Sequence, residues 1–240
     1  MDPLGCVRSL SDCSQYEIAG LVAAGLAYGR VELIIRAVNR VFEATGGNVR
    51  SFVLETSLSE KKRALREFRH RFNDGEDVAL LLHAVRMVLE RKGSLENLFQ
   101  EGMEGEVVEM RDGAGHFVRN LRDIGMELRG NSKKGFEYLL ADPRSGSACK
   151  RLNMYFRWMI RADDGIDLGC WSGVSPSTLI VPLDVHIVRA AKELGLTTRR
   201  NADWRMAEEI TAHLRKACPS DPVKYDFSLC RYGMLKTRGK

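Results

Sequence analysis

Proline is missing between residues 4 and 142; apart from Pro3, the six prolines fall in the last hundred residues, at Pro143, Pro176, Pro182, Pro219 and Pro222. Nothing in the first stretch therefore forbids long helices, since proline is their strongest breaker. No apolar run reaches the length of a membrane span. The best candidate, around residues 18–35, is interrupted by Gly25 and Arg30, so no membrane partner is expected. The opening residues Met1-Asp-Pro-Leu-Gly-Cys6 lack a basic start followed by an apolar core, so a cytoplasmic setting without a secretory signal is expected. Cysteine is present at Cys6, Cys13, Cys149, Cys170, Cys218 and Cys230, but never as a Cys-x-x-Cys pair. Six reduced thiols follow, and no iron–sulfur cluster, which needs four clustered cysteines where the last stretch offers two. The five histidines show no metal-ligand spacing, so no zinc or other metal cofactor is expected. Fixed-period repeats, low-complexity tracts and strand-like alternation are wanting too.

What is present suits a folded chain of one large domain or two small lobes. The 240 residues are 44% hydrophobic and 29% charged, enough for a real core. Thirty-seven Lys and Arg against 32 Asp and Glu leave a net charge of +5, which permits a nucleic-acid partner without demanding one.

The chain reads as helix after helix, an all-α class. Residues 16–28 are apolar nearly all round, as expected of a buried central helix, and small residues there admit close neighbours. A second helix follows from about Val31, with Val31, Ile34, Ile35, Val38, Val41 and Phe42 on one stripe. Gly46-Gly47-Asn48 is a turn, and Ser57-x-x-Glu60 a capping box for a basic helix reaching about Arg71. Asp74 caps a helix near 75–91, Gly93-Ser94 breaks it, and helices at 95–101 and about 104–127 follow. Gly125, Gly130, Asn131 and Ser132 mark a loose segment and a lobe boundary. Shorter helices come after it: one ending near Leu140, one over 148–161, one capped by Asp184 and stopped by Gly195, one over 204–217 capped by Asp203. The last opens at Asp221-Pro222 and runs to about Tyr232.

The chemistry concentrates in Pro143-Arg-Ser-Gly-Ser-Ala-Cys-Lys150 and the helix after it. A Gly/Ser hairpin feeding a helix start presents backbone N–H groups and a positive dipole end, suited to a phosphate. Arg144, Lys150, Arg151, Arg157 and Arg161 add five positive charges in 18 residues, which a basic solvated helix face would also do. Lys150 sits in the first turn, where the dipole opposes a cation. That field and Arg151 favour a neutral, nucleophilic amine. In Val181-Pro-Leu-Asp-Val-His186, Pro182 and the capping Asp184 bring a carboxylate to another helix start. A lysine and a carboxylate on successive helix N-termini make a nucleophile and a partner for developing positive charge.

Pro-Leu-Asp-Val-His186 resembles the Pro-x-Asp-x-His segment of the helix-hairpin-helix–Gly-Pro-Asp DNA glycosylases, and Lys150-Arg-Leu-Asn153 resembles the Lys-Thr-Ala-Asn after their hairpin. Residues 17–31 resemble their first core helix. Over most of its length the chain is also similar to an uncharacterised bacterial family. It shares with that family Ser-Ala-Cys-Lys-Arg-Leu-Asn-Met, Arg-Trp-Met, Asp-Leu-Gly-x-Trp, Pro-Leu-Asp-x-His and Asp-Pro-Val-Lys-Tyr-Asp-Phe.

The glycosylase resemblance implies a two-lobed helical fold, one glycosylase-like unit over residues 1–240 with its hairpin and catalytic motifs in about 131–200, and a monomer. It implies base-excision repair of double-stranded DNA carrying a damaged base, with abasic-site lyase activity. Lys150 is then the Schiff-base nucleophile and Asp184 its partner. Ser145, Gly146 and Ser147 hold phosphate, with or without a monovalent cation, and Met154, one turn after Lys150, reaches the base. Lys150 and Asp184 stand 34 positions apart, a spacing that resembles that of archaeal 8-oxoguanine glycosylases, so an oxidised purine such as 8-oxoguanine is the expected lesion. The hairpin has one glycine, Gly146, where the common motif has two. Gly29 stands where many relatives place a stack-entering glutamine, leaving Tyr28 and Arg30 as substitutes. Trp171 either stacks on a base or fills the core. His186 orients Asp184, touches phosphate or is structural, while Asp226 either reads a base edge or is solvent-exposed. Lys236, Arg238 and Lys240 add a basic tail. A helix-hairpin-helix module that binds DNA or RNA without catalysis accounts for the hairpin and its charge equally well.

Overall fold

A computed structural model describes residues 2–104, 109–129 and 134–238, with the side chains of 129, 134 and 236–238 left aside. The loose segment Gly130–Ser132 and the basic tail side chains Lys236, Arg238 and Lys240 therefore lie outside the described residues. The architecture is all-α, with thirteen helices and one two-strand hairpin among those residues. The chain divides into two compact units, one made of Met1–Glu104 and Gly113–Ala141, the other of Gly105–Asp112 and Asp142–Lys240. The division after the first long stretch thus falls at 141/142, immediately before the hairpin, and not at 125–132; Gly125 lies inside a helix.

The first unit holds α1 (Pro3–Arg8), α2 (Tyr16–Gly25), α3 (Val31–Ala44), α4 (Val49–Glu55), α5 (Leu58–Ala64), α6 (Gly75–Lys92), α7 (Leu95–Glu101), most of α8 (Met110–Arg129) and α9 (Lys134–Leu139). Helix α2 is buried all round from Ile18 to Gly25, as its composition demanded. Helix α3 buries Ile34, Ala37, Val38, Val41 and Phe42 along one stripe. The Ser57–Glu60 capping box is present, and Asp74 forms another with Asp77 at the start of α6. Helix α5, however, stops at Ala64. Residues 69–74 turn back as an antiparallel hairpin, β1 (Arg69–His70) and β2 (Asn73–Asp74), paired Arg69 to Asp74 and His70 to Asn73. Tertiary bonds win over helix propensity there: His70 Nε2 lies 3.1 Å from the Leu26 carbonyl, and the Tyr28 hydroxyl lies 2.8 Å from the His70 carbonyl and 2.6 Å from Asn73 Oδ1. Likewise α8 starts at Met110 instead of near 104.

The second unit carries α10 (Lys150–Ile160), α11 (Val185–Glu193), α12 (Trp204–Ala217) and α13 (Asp226–Arg238). Helix α10 buries Leu152, Tyr155, Phe156, Trp158, Met159 and Ile160. The loop after it folds back: Leu168 N donates to the Trp158 carbonyl and Trp171 N to the Met159 carbonyl, each at 2.8 Å. Helix α13 begins at Asp226, four residues later than the Asp221-Pro222 signal suggested, and continues past Tyr232.

An ion cluster sits inside this unit. Arg157 reaches Asp167 at 3.2 Å and Asp226 at 3.1 Å, with its guanidinium 4.3 Å from the Phe227 ring centre. Arg161 binds Asp167, Asp221 at 2.9 Å and Asp164 at 3.4 Å. These contacts join α10, the 163–167 loop and the start of α13. Burial pushes the Asp226 carboxyl up to about 6, against the pull of Arg157. Its folded value lies above the unfolded one, so the folded chain holds this proton more tightly; the contribution of Asp226 to stability falls as pH rises from about 4 through 6. Arg157→Met strips the buried Asp226 of its guanidinium partner, leaves Asp167 with Arg161 alone, and is expected to cost about 3–5 kcal/mol near neutral pH. The loss should be smaller near pH 5, where Asp226 is protonated. Urea unfolding at both pH values checks this, and an equal loss at both would contradict it.

Candidate active site

The hairpin ahead of α10 is built from local bonds. Asp142 Oδ1 accepts from Arg144 N at 2.8 Å, and Ser145 Oγ donates to the Asp142 carbonyl at 2.7 Å. Gly146 then takes φ +85°, a left-handed value that a side chain resists. Ser147 pairs with Asp203 in an isolated antiparallel bridge, which ties the hairpin to the start of α12. Cys149, at φ +46°, turns the chain into α10, and no side chain caps that helix. Asn153 Nδ2 donates to the Ala148 carbonyl at 3.2 Å, so the buried asparagine of the Lys-x-x-Asn string fastens the hairpin to the first turn.

Lys150 is the first residue of α10, and its Nζ lies 3.9 Å from Asp184 Oδ2. The lysine side chain is 44% exposed and the aspartate 17%, so the amine stays reachable while its partner is held inside. Asp184 caps α11: Oδ1 accepts from the backbone N–H groups of His186 at 2.9 Å and Ile187 at 2.8 Å. Oδ2 receives the Cys230 thiol at 3.5 Å, from α13. Burial, and next the charge of Asp184, push that thiol up to about 11, so at neutral pH it remains a neutral donor. A carboxylate held by two N–H groups, a thiol and a lysine amine is fixed in rotamer beside that amine.

Helices α11 and α13 meet closely enough that a Cβ on Gly233 would lie 2.1 Å from the His186 carbonyl oxygen. Arg189 Nη1 donates to the Gly233 carbonyl at 3.2 Å and Tyr232 Oη to Glu193 at 2.9 Å across the same seam. This approach brings Cys230 to Asp184.

The other expected residues divide. Ser145, Gly146 and Ser147 are exposed at the hairpin, and Met154 is half-buried on α10. His186 serves Asp184 through its backbone N–H, whereas its ring Nδ1 is buried and makes no bond among the described residues. Trp171 is 3% exposed, edge-on to Tyr155 with ring centres 5.6 Å apart and tilted against Phe156, so it fills the core and offers no face to a base. Asp226 is 5% exposed and bound to Arg157, neither solvent-exposed nor open to a base edge. Arg157 and Arg161 are likewise interior, neutralised by carboxylates, and the run of five positive charges is not one basic face. In the first unit Tyr28 is half-buried with its hydroxyl engaged, and Arg30 is exposed beside Glu32 at 3.7 Å.

Sequence reasoning passed over three features. Cys230 gave no local signal, because only the α11–α13 seam brings it to Asp184. Arg111 and Arg205 line a recess beside the hairpin from distant parts of the chain. Phe72 stands 61% exposed at the hairpin tip in the first unit, where no turn had been read.

Among the described residues no group of three or more His, Cys, Asp or Glu is placed to hold a metal, and no helix is long and apolar enough to cross a membrane. None of the six cysteines forms a disulfide. The family model described as Protein of unknown function (DUF2400) matches residues 2–235. No curated protein and no solved structure matches the chain. Gly233→Ala is expected to force α11 and α13 apart and cost about 1–3 kcal/mol, read as a lower thermal midpoint. An unchanged midpoint would show that the seam yields without loss.

Proposed function

The chain belongs to the DUF2400 family, and from its Lys150–Asp184 geometry we propose a base-excision DNA glycosylase with abasic-site lyase activity. Its substrate is double-stranded DNA in the cytoplasm carrying an oxidised purine of the 8-oxoguanine kind, bound by a monomer. The observation that carries this reading is the half-exposed Lys150 amine 3.9 Å from the anchored Asp184 carboxylate. The resemblance of Lys150-Arg-Leu-Asn153 and Pro182-Leu-Asp-Val-His186 to the helix-hairpin-helix–Gly-Pro-Asp glycosylases gives the pair its substrate class.

The damaged nucleotide leaves the base stack, as chemistry on a base within a duplex requires. Asp184 takes a proton from the Lys150 ammonium. The neutral Nζ attacks C1′, and the glycosidic C–N bond breaks with its electron pair going to the base, which leaves with the proton that Asp184 took up. Asp184, ionised again by that transfer, offsets the positive charge left on the Nζ–C1′ adduct. Opening of the C1′–O4′ bond then gives the Schiff base, with the proton from Nζ passing to O4′. Loss of the C2′ proton expels the 3′-phosphate and cuts the strand.

Two hairpin carbonyls are already engaged: Asp142 O accepts from Ser145 N and Oγ, and Pro143 O accepts from Gly146 N at 3.3 Å and Arg111 Nη2 at 3.4 Å. With two donors on each, neither of these two carbonyls is free to hold a monovalent cation.

Borohydride trapping on duplexes containing an abasic site or 8-oxoguanine tests the proposal. The wild-type chain is expected to form a covalent adduct that Lys150→Ala and Lys150→Gln lose. Asp184→Asn, which keeps a capping side chain, should slow adduct formation about 100-fold or more. DNA binding with neither adduct nor base release would overturn the enzyme and leave the non-catalytic binding module, for which the basic hairpin alone suffices.

A further inference from the structure

The recess beside the hairpin has a volume of about 330 Å³, and three guanidinium groups reach it from separate parts of the second unit: Arg111, Arg144 and Arg205. Asp203 is the one acidic residue of its lining, which leaves a net charge of +2. That carboxylate is committed elsewhere: Oδ1 accepts from Met206 N at 2.8 Å and Oδ2 from Arg199 at 3.2 Å. Arg144 meets Asp112 at 3.4 Å, with both side chains half exposed, a pair weak enough to exchange for a better anion. Arg205 stands in the first turn of the fourteen-residue α12, which has no acidic residue there, so the helix dipole opposes its charge. An anion in the recess offsets both the dipole and the net positive charge of the lining. The Ser147–Asp203 bridge joins the hairpin bearing Arg144 to the helix bearing Arg205, so the recess is fixed by the backbone.

We infer that this recess holds a phosphate of the nucleic-acid backbone through guanidinium forks. The inference rests on the nucleic-acid reading above and deepens it. It accounts for the guanidinium found at the Pro143 carbonyl. Planar forks suit phosphate oxygens, and a Lys at these positions would supply only a point charge.

Fluorescence anisotropy with a fluorescein-labelled duplex, across about 50 to 200 mM chloride, reads the effect as a salt slope. Arg144→Gln and Arg205→Gln are each expected to lower the slope by about 1 and to weaken binding for every sequence alike, while Arg91→Gln in the first unit leaves it unchanged. Inorganic phosphate replacing chloride at equal ionic strength should compete with the duplex in the wild-type chain and less in Arg144→Gln. Unchanged slopes in both recess variants overturn the inference, whether or not the chain forms a borohydride adduct. Reduced slopes with no adduct from the wild type uphold the recess and remove the enzyme. Failure of the wild-type chain to bind the duplex overturns the assignment to a nucleic-acid backbone, and equal competition by inorganic phosphate in the wild type and Arg144→Gln overturns the site.

Discussion

The buried guanidinium of Arg157 is the constraint on which the second unit depends. It lies two turns beyond Lys150 on α10 and binds Asp226, one turn before Cys230 on α13. One interior ion pair therefore sets the helix carrying the amine against the helix that supplies the thiol to Asp184. Arg161 and Asp167 extend the same cluster into the loop that folds under α10. Such clusters add little net stability over an apolar core, because desolvation offsets most of the attraction. Their contribution is a single permitted register, and a site that needs Lys150 within reach of Asp184 needs that register.

The carboxylate itself is over-determined. One oxygen of Asp184 is taken by two backbone N–H groups at the start of α11, so its rotamer is fixed before any ligand arrives. The other is shared between the Lys150 ammonium and the Cys230 thiol. An aspartate that only capped a helix would need the first oxygen alone. The second faces a half-exposed amine, and this division of labour turns an ordinary N-cap into a candidate catalytic group.

Sequence was most informative where the signal is local. Asp74, Asp184, Asp203 and Ser57 all cap the helices assigned to them, because a capping side chain acts on N–H groups two or three residues away. Lys150 and Asp184 were legible for the same reason: each marks a helix start. Lengths and charges fared worse. Helix α5 was read too long because the bonds that turn residues 69–74 into a hairpin come from Leu26 and Tyr28, some forty positions away. Arg157 and Arg161 read as a basic face because two of their carboxylate partners, at 221 and 226, are distant in sequence and the nearer ones reach them only through the folded-back loop. Trp171 carried no mark to separate a stacking ring from a core ring, and the loop folding back on α10 decided it.

The proposed reaction stands on Lys150 as its nucleophile. Peptide mapping by mass spectrometry of the borohydride-reduced protein–DNA adduct tests that directly. The sugar remnant is expected on the peptide containing Lys150. A remnant on another lysine or on the N-terminal amine would contradict it, however well the chain cleaved DNA.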